Sequence, residues 1–287
     1  MNAKRKSSAH GKIILTGEYA VLFGKRGIAV PSKEFVTITW ASDSSMPKPN
    51  VVWENADPMW RKYVERILEL LDLHTGKLKG TLVVNCGIPL GKGMGSSTAL
   101  VIAICRCLLG PDSAKIALSI EDQINPGHSG IDFAVIWENK PILYSQGKEP
   151  QIIDLPKDLL KNARLIDTGK PNEMTQELVT WMKTRVENPL LRVEEKRKKG
   201  AGFLPADSKG GEMHDAINII GNCTERLLKG ESLHAVIRDH HKAQAALGVV
   251  PEATQKIIAD IELQGGAAKV IGAGARTGGG GMVLIIK

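Results

Sequence analysis

The sequence predicts an α+β fold, and three observations carry that expectation. Short β-branched runs and longer stretches of helical apolar periodicity occur in both halves of the chain. They do not alternate strand by helix as a parallel sheet would require. The last stretch closes on two apolar runs separated by glycines, the pattern of a strand pair.

Taken in order, Lys12 to Thr16 and Val36 to Trp40 are β-branched runs flanked by Gly, Pro and Ser, and are expected as strands. Asp57 and Pro58 form a helix start, cap residue followed by proline at the first helical position. Trp60, Val64, Ile67, Leu68 and Leu71 then recur at helical spacing as one buried stripe. Thr81 to Asn85 is a strand that enters a glycine-rich segment, Gly87 to Ser97, and an apolar helix continues to about Leu109. A second helix starts after Pro111 and Asp112. Further on, a strand over Arg164 to Asp167 precedes a helix from about Thr175, then helices over Met213 to Leu228, Ser232 to Leu247 and Pro251 to Leu263. Ala268 to Ile271 and Met282 to Ile286 are the closing strands. Residues 191–211 are charged and glycine-rich and are expected as a loop. The change of pattern past Pro156 places a boundary near 155–165, giving domains 1–160 and 161–287.

With 287 residues, 43% hydrophobic and 24% charged, the chain is an ordinary globular one with room for two domains around a cleft. The net charge of +7 favours anionic partners. Much of the excess lies in Lys4-Arg5-Lys6 and in Lys196 to Lys199, expected as a solvated tail and loop. Aromatics make up only 4%, which leaves few platforms for base stacking, so no nucleic-acid partner is expected. Cys86, Cys105, Cys107 and Cys223 show no metal-binding spacing and are expected as reduced, buried thiols. No apolar stretch approaches the ~20 residues of a membrane span, and no signal-peptide core follows the basic start. A cytoplasmic protein without a membrane partner is the expectation.

Four segments carry chemistry. The strongest is Pro89 to Thr98, set between a strand and a helix. Its Gly91, Gly93 and Gly95 let backbone approach a ligand without a Cβ in the way. The helix behind offers free N–H groups and roughly half a positive charge, which suits a phosphate chain. Lys92, Ser96, Ser97 and Thr98 add donors or a metal ligand, while Pro89 and Met94 complete the turn. It is neither a Walker A loop nor a dinucleotide fingerprint. The second segment, Ser8 to Gly24, couples a strand bearing Lys12 to a polar turn of Gly17, Glu18 and Tyr19. The third runs from Pro126 to Asp132, where the acid follows a Ser129-Gly130 turn. The fourth, Lys269 to Gly281, holds Gly272-Ala273-Gly274 and a later run of glycines. Singly, the last three read as surface charges, a turn residue and a hairpin loop.

In this order the four segments resemble the GHMP kinase superfamily, and together they span nearly the whole chain. The resemblance implies a ribosomal S5-like N-terminal domain and a ferredoxin-like C-terminal one. Finer likeness is to the mevalonate kinase family. Gly11-Lys12, Gly17-Glu18, Ser129-Gly130-Ile131-Asp132 and Asp167-Thr168-Gly169-Lys170-Pro171 with Thr175 are similar to that family's segments. Three departures stand out: Tyr19 where the family has His, His128 where Pro is common, and the extension Ala275-Arg276-Thr277.

The resemblance implies ATP and Mg²⁺ as cofactors, and mevalonate as a small-molecule acceptor phosphorylated at its primary hydroxyl. The loop Pro89, Gly91 to Thr98 would bind nucleotide; Ser97 and Glu121 would hold the metal. Asp132 would take or orient the hydroxyl proton, with Lys12 beside it stabilising the transferring phosphoryl oxygens. Glu18, Tyr19 and Thr175 would line the acceptor pocket, although Thr175 serves equally well as a helix cap. A homodimer is compatible with this reading. Alternatives are a phosphomevalonate kinase or another kinase of the superfamily, a related decarboxylase, a non-catalytic sensor, and a nucleic-acid binder.

Overall fold

The computed structural model describes residues 4–54, 56–187 and 208–287. It is a mixture of helix and sheet, as expected. The chain forms two compact units that interleave in sequence. Within the described residues, 4–12, 30–90 and 94–140 belong to the first, and 13–29, 91–93 and 141–287 to the second. One division near residue 160 does not describe this partition, because strands β1 (Lys4–Thr16) and β2 (Arg26–Ser42) are each shared by both units.

In the first unit, β4 (Gly80–Cys86) pairs antiparallel with Val36–Ser42 of β2 and parallel with β3 (Asn50–Val52). The Lys4-Arg5-Lys6 run is not a tail. It opens β1 with its side chains exposed, and Arg5 Nη1 donates to the Leu108 carbonyl at 2.7 Å. Helix α1 (Pro58–Thr75) starts as its cap residues predict, Asp57 accepting from the Met59 amide at 2.8 Å. Its Trp60, Val64, Ile67, Leu68 and Leu71 are all buried. Helix α2 (Ser96–Leu109) is apolar and buried over most of its surface, with Ser97 and Arg106 only half-buried, and such a helix must be enclosed by others. It packs against α1, α3 (Ala114–Ile124) and α4 (Ile131–Glu138).

In the second unit, β5 (Ile142–Ser145) pairs with residues 26–29 of β2 and with β6 (Gln151–Ile152). A three-stranded antiparallel sheet has the order β7 (Arg164–Asp167), β9 (Met282–Ile286), β8 (Ala267–Val270). The helices are α5 (Thr175–Glu187), α6 (Ser208–Leu228), α7 (Leu233–Leu247) and α8 (Glu252–Leu263). Helix α6 begins before Met213 and takes the end of the stretch expected as a loop. The rest of that stretch, with Lys196 to Lys199, lies outside the described residues. One core gathers Tyr19, Ala20, Met182, Ile217, Ile220 and Leu247; another joins Ile258 to Val270, Val283 and Ile285. Cys86, Cys105, Cys107 and Cys223 are free thiols. Among the described residues no helix is long and apolar enough to cross a membrane.

Candidate active site

Two constellations carry the predicted residues, one in each unit. In the first, β1 ends its share of the unit at Lys12, whose amide donates to the Met94 carbonyl at 2.9 Å. The lysine side chain is 2% exposed and its Nζ lies 3.2 Å from Asp132 Oδ1. A buried ammonium is tolerated only with such a partner. Asp132 stands in the first turn of α4, behind Gly130 in the left-handed region, where the helix end favours a negative charge. Its side chain stays 34% exposed, so the carboxylate faces solvent on one side and the lysine on the other.

The glycine segment abuts this pair. Gly95 caps α2 at φ 73° and has no side chain with which to satisfy the first-turn amides. A Cβ there would sit 2.9 Å from Lys12 Cγ, so only glycine lets the lysine stem pass. Met94 is fully buried and presents backbone alone. Ser96 is buried too, and Thr98 spends its hydroxyl on Glu121 Oε1 at 2.7 Å. The two were expected as hydroxyl donors to a ligand; both are buried, whereas Ser97 is half-buried and its side chain is hydrogen-bonded to Tyr63.

Glu121 is 2% exposed, and its second oxygen, Oε2, is buried without a hydrogen bond. Burial raises its carboxyl above the ordinary range, against the bond from Thr98. The Asn125 side chain also hydrogen-bonds this carboxylate, which lies beside the hydroxyl-bearing turn of α2 and is of the oxygen type that a divalent cation takes. Among the described residues no group of three or more His, Cys, Asp or Glu side chains gathers for a metal.

In the second unit, Gly91 to Gly93 rest on the fourth segment. Gly93, at φ 84°, has its α-carbon against the Ile271 carbonyl, leaving no room for a Cβ. The Met282 amide donates to the Lys92 carbonyl at 3.1 Å, and the Lys92 ammonium pairs with Asp167.

Glu18 and Tyr19 differ from expectation. Both are buried, and their polar ends are taken up within the unit rather than held out to an acceptor. The Tyr19 hydroxyl donates to the Ala273 carbonyl. The Glu18 carboxylate is bound by Lys269 and lies 2.9 Å from His240 Nε2. Burial alone would push Glu18 up, but Lys269 and His240 overcome it and hold the carboxyl at about 2. Burial, and then the Lys269 charge, lowers His240, which is therefore neutral near pH 7. Thr175 begins α5 but does not cap it. Met174 holds the cap position, its amide satisfied by Glu177 Oε2 at 2.8 Å, and Thr175 is exposed. The extension in the fourth segment is docked: Glu173 accepts from the Arg276 and Thr277 amides and the Thr277 hydroxyl, and Arg276 stacks 4.6 Å from the Trp181 centroid.

Lys269 and His240 escaped the sequence reading. Lysine within an apolar strand run was the available signal; nothing local pointed to a histidine more than two hundred residues from its partner.

A buried lysine on an aspartate, a glycine turn at a helix start and a buried carboxylate stand together in the first unit, a set suited to binding a phosphate chain. Comparison with known proteins agrees. The family described as GHMP kinases N terminal domain matches residues 62–138. The curated relatives that match the chain are mevalonate kinases. That of Archaeoglobus fulgidus is 25% identical over 97% of this chain and 90% of its own. The fold is that of the Methanococcus jannaschii mevalonate kinase (TM-score 0.70, 20% identity, 100% and 90% covered). It is also that of L. major mevalonate kinase in complex with R-mevalonate (TM-score 0.73, 21% identity, 98% and 86% covered).

Proposed function

We propose that this enzyme transfers the γ-phosphoryl group of ATP to the primary hydroxyl of mevalonate, giving 5-phosphomevalonate. The observation that carries the reading is the ion pair of buried Lys12 with half-open Asp132, next to the α2 N-terminus. Asp132 receives or orients the proton of the attacking hydroxyl. Lys12, fixed by its backbone bond to Met94, neutralises charge on the transferring oxygens. The amides of the first turn of α2 hold the phosphate chain. Magnesium, held through Glu121 and Ser97, would shield the phosphate charge. Glu18 and Tyr19 support the acceptor pocket from behind, through Lys269 and Ala273, and Thr175 remains a candidate contact. The mevalonate kinase relatives favour mevalonate as the acceptor. A coupled ADP-release assay across mevalonate, 5-phosphomevalonate, homoserine and galactose tests the proposal. ADP release with mevalonate alone is the expected result, and turnover confined to another acceptor would replace it.

A further inference from the structure

Lys269 sits in the middle of β8 with no exposure, between Ala268 and Val270, which are equally buried. A strand enclosed on both faces would ordinarily carry an apolar residue there. Instead its ammonium reaches out of the sheet to the Ile14 carbonyl at 3.1 Å and to the Glu18 carboxylate. Replacing such a pair by apolar groups commonly leaves stability unchanged or improves it, so stability alone does not account for it.

Its neighbours give it a task. Glu18 precedes Tyr19, which holds φ 62° and ψ −41°, a conformation that an aromatic residue adopts only when its surroundings enforce it. Two ties do so: the Glu18 carboxylate to Lys269 and His240, and the Tyr19 hydroxyl to Ala273. Both run to the same short stretch, Lys269 to Gly274. Midway along it, Gly272 packs on Gly93 so closely that a Cβ would lie 2.8 Å from the Gly93 α-carbon. The Ile271 amide is bound to the Met282 carbonyl, and Met282 in turn donates to Lys92. An unbroken series of contacts therefore leads from the buried charges to Gly91–Gly93.

We propose that Lys269 is a positioning residue for phosphoryl transfer: through Glu18 and His240 it fixes the Gly272-Ala273-Gly274 turn, and with it the Gly91–Gly93 backbone that receives ATP. This rests on the reading of Gly91–Gly93 as part of the nucleotide loop. Lys269 touches no substrate in this role; it sets the shape of the surface that does.

The test separates shape from stability. Lys269→Met alone strands a buried carboxylate and is expected to unfold readily. The double variant Lys269→Met/Glu18→Gln removes both charges at nearly constant volume, and its thermal midpoint should return close to that of the parent. Its affinity for MgATP, measured by calorimetry, should nevertheless stay about tenfold or more weaker than the parent's. Amide exchange at Ile271 to Gly274 should be faster in the same variant. A double variant with the parent's midpoint, ATP affinity and exchange would overturn the role of Lys269. A parent protein that binds no MgATP would overturn the underlying loop assignment instead, and with it this inference.

Discussion

Lys12 Nζ lies 3.2 Å from Asp132 Oδ1, with the lysine side chain 2% exposed and the aspartate 34%. The asymmetry matters. A cation shut away on one side and a carboxylate open on the other leave the aspartate one free approach, the one a hydroxyl would use. Asp132→Asn keeps the shape and removes the base, so kcat should fall by a factor on the order of 10² or more. ATP affinity should change little. Turnover like the parent's in the purified variant would take Asp132 out of the mechanism.

Gly93 tests the nucleotide loop. Its φ of 84° and its contact with the Ile271 carbonyl leave no space for a side chain. Gly93→Val should lower MgATP affinity by at least about tenfold by moving the loop off the fourth segment. Because the clash is with backbone, the midpoint of thermal unfolding should fall too, while the far-ultraviolet dichroism stays native. Calorimetry showing the parent's affinity would place the nucleotide elsewhere.

Much of this site could be read from the sequence because its parts are local. Asp57 and Pro58 mark the start of α1, and Gly95 with Ser96 marks that of α2, by short-range chemistry that tertiary structure had no reason to override. Lys12 and Asp132, far apart in the chain, were paired only through family likeness, and the structure brings them together. What escaped was decided by packing. Lys4-Arg5-Lys6 has the composition of a tail yet becomes strand because β2 is there to pair with it. Glu18 and Tyr19 look like pocket residues by type; only their burial against Lys269, His240 and Ala273 shows where their polar atoms go.

The buried charges predict a pH dependence of stability. His241 is lowered by burial from 6.5 to about 4, and His240 is lowered in the same direction. Below pH 6.5 the unfolded chain takes up protons that these folded histidines refuse, so stability falls as pH drops. Glu18, held at about 2 against an ordinary 4.5, extends the loss from pH 4.5 toward 2. All three contributions are present well above pH 6.5 and are lost as pH falls, those of the histidines first and that of Glu18 last. Urea unfolding from pH 7.5 to 3 should show a continuous decline. The Lys269→Met/Glu18→Gln variant should keep its upper part and lose its lower part. A level profile in the parent would mean that these groups are not buried as described.

The proposed function also predicts which acceptor is preferred. A phosphorylated acceptor brings roughly two more negative charges than mevalonate, and seating it requires cations that are available for the purpose. Among the described residues of the four segments, Lys12 is paired with Asp132, Lys92 with Asp167 and Lys269 with Glu18, while Arg276 is stacked on Trp181. Each would have to give up an existing partner to bind a phosphate, at a cost that a neutral hydroxymethyl end does not incur. Tyr19 points the same way, for its hydroxyl is engaged by Ala273 and is not held ready for a phosphate oxygen. The ratio of kcat/KM for mevalonate to that for 5-phosphomevalonate, measured at one salt and magnesium concentration, should therefore be about ten or higher. Arg276→Ala gives an internal control. Freed from a role in the acceptor site, it should leave that ratio within about twofold of the parent's. A ratio below one, or one that rises sharply in the Arg276 variant, would show that a phosphate is recognised after all, with the extended glycine segment as its seat.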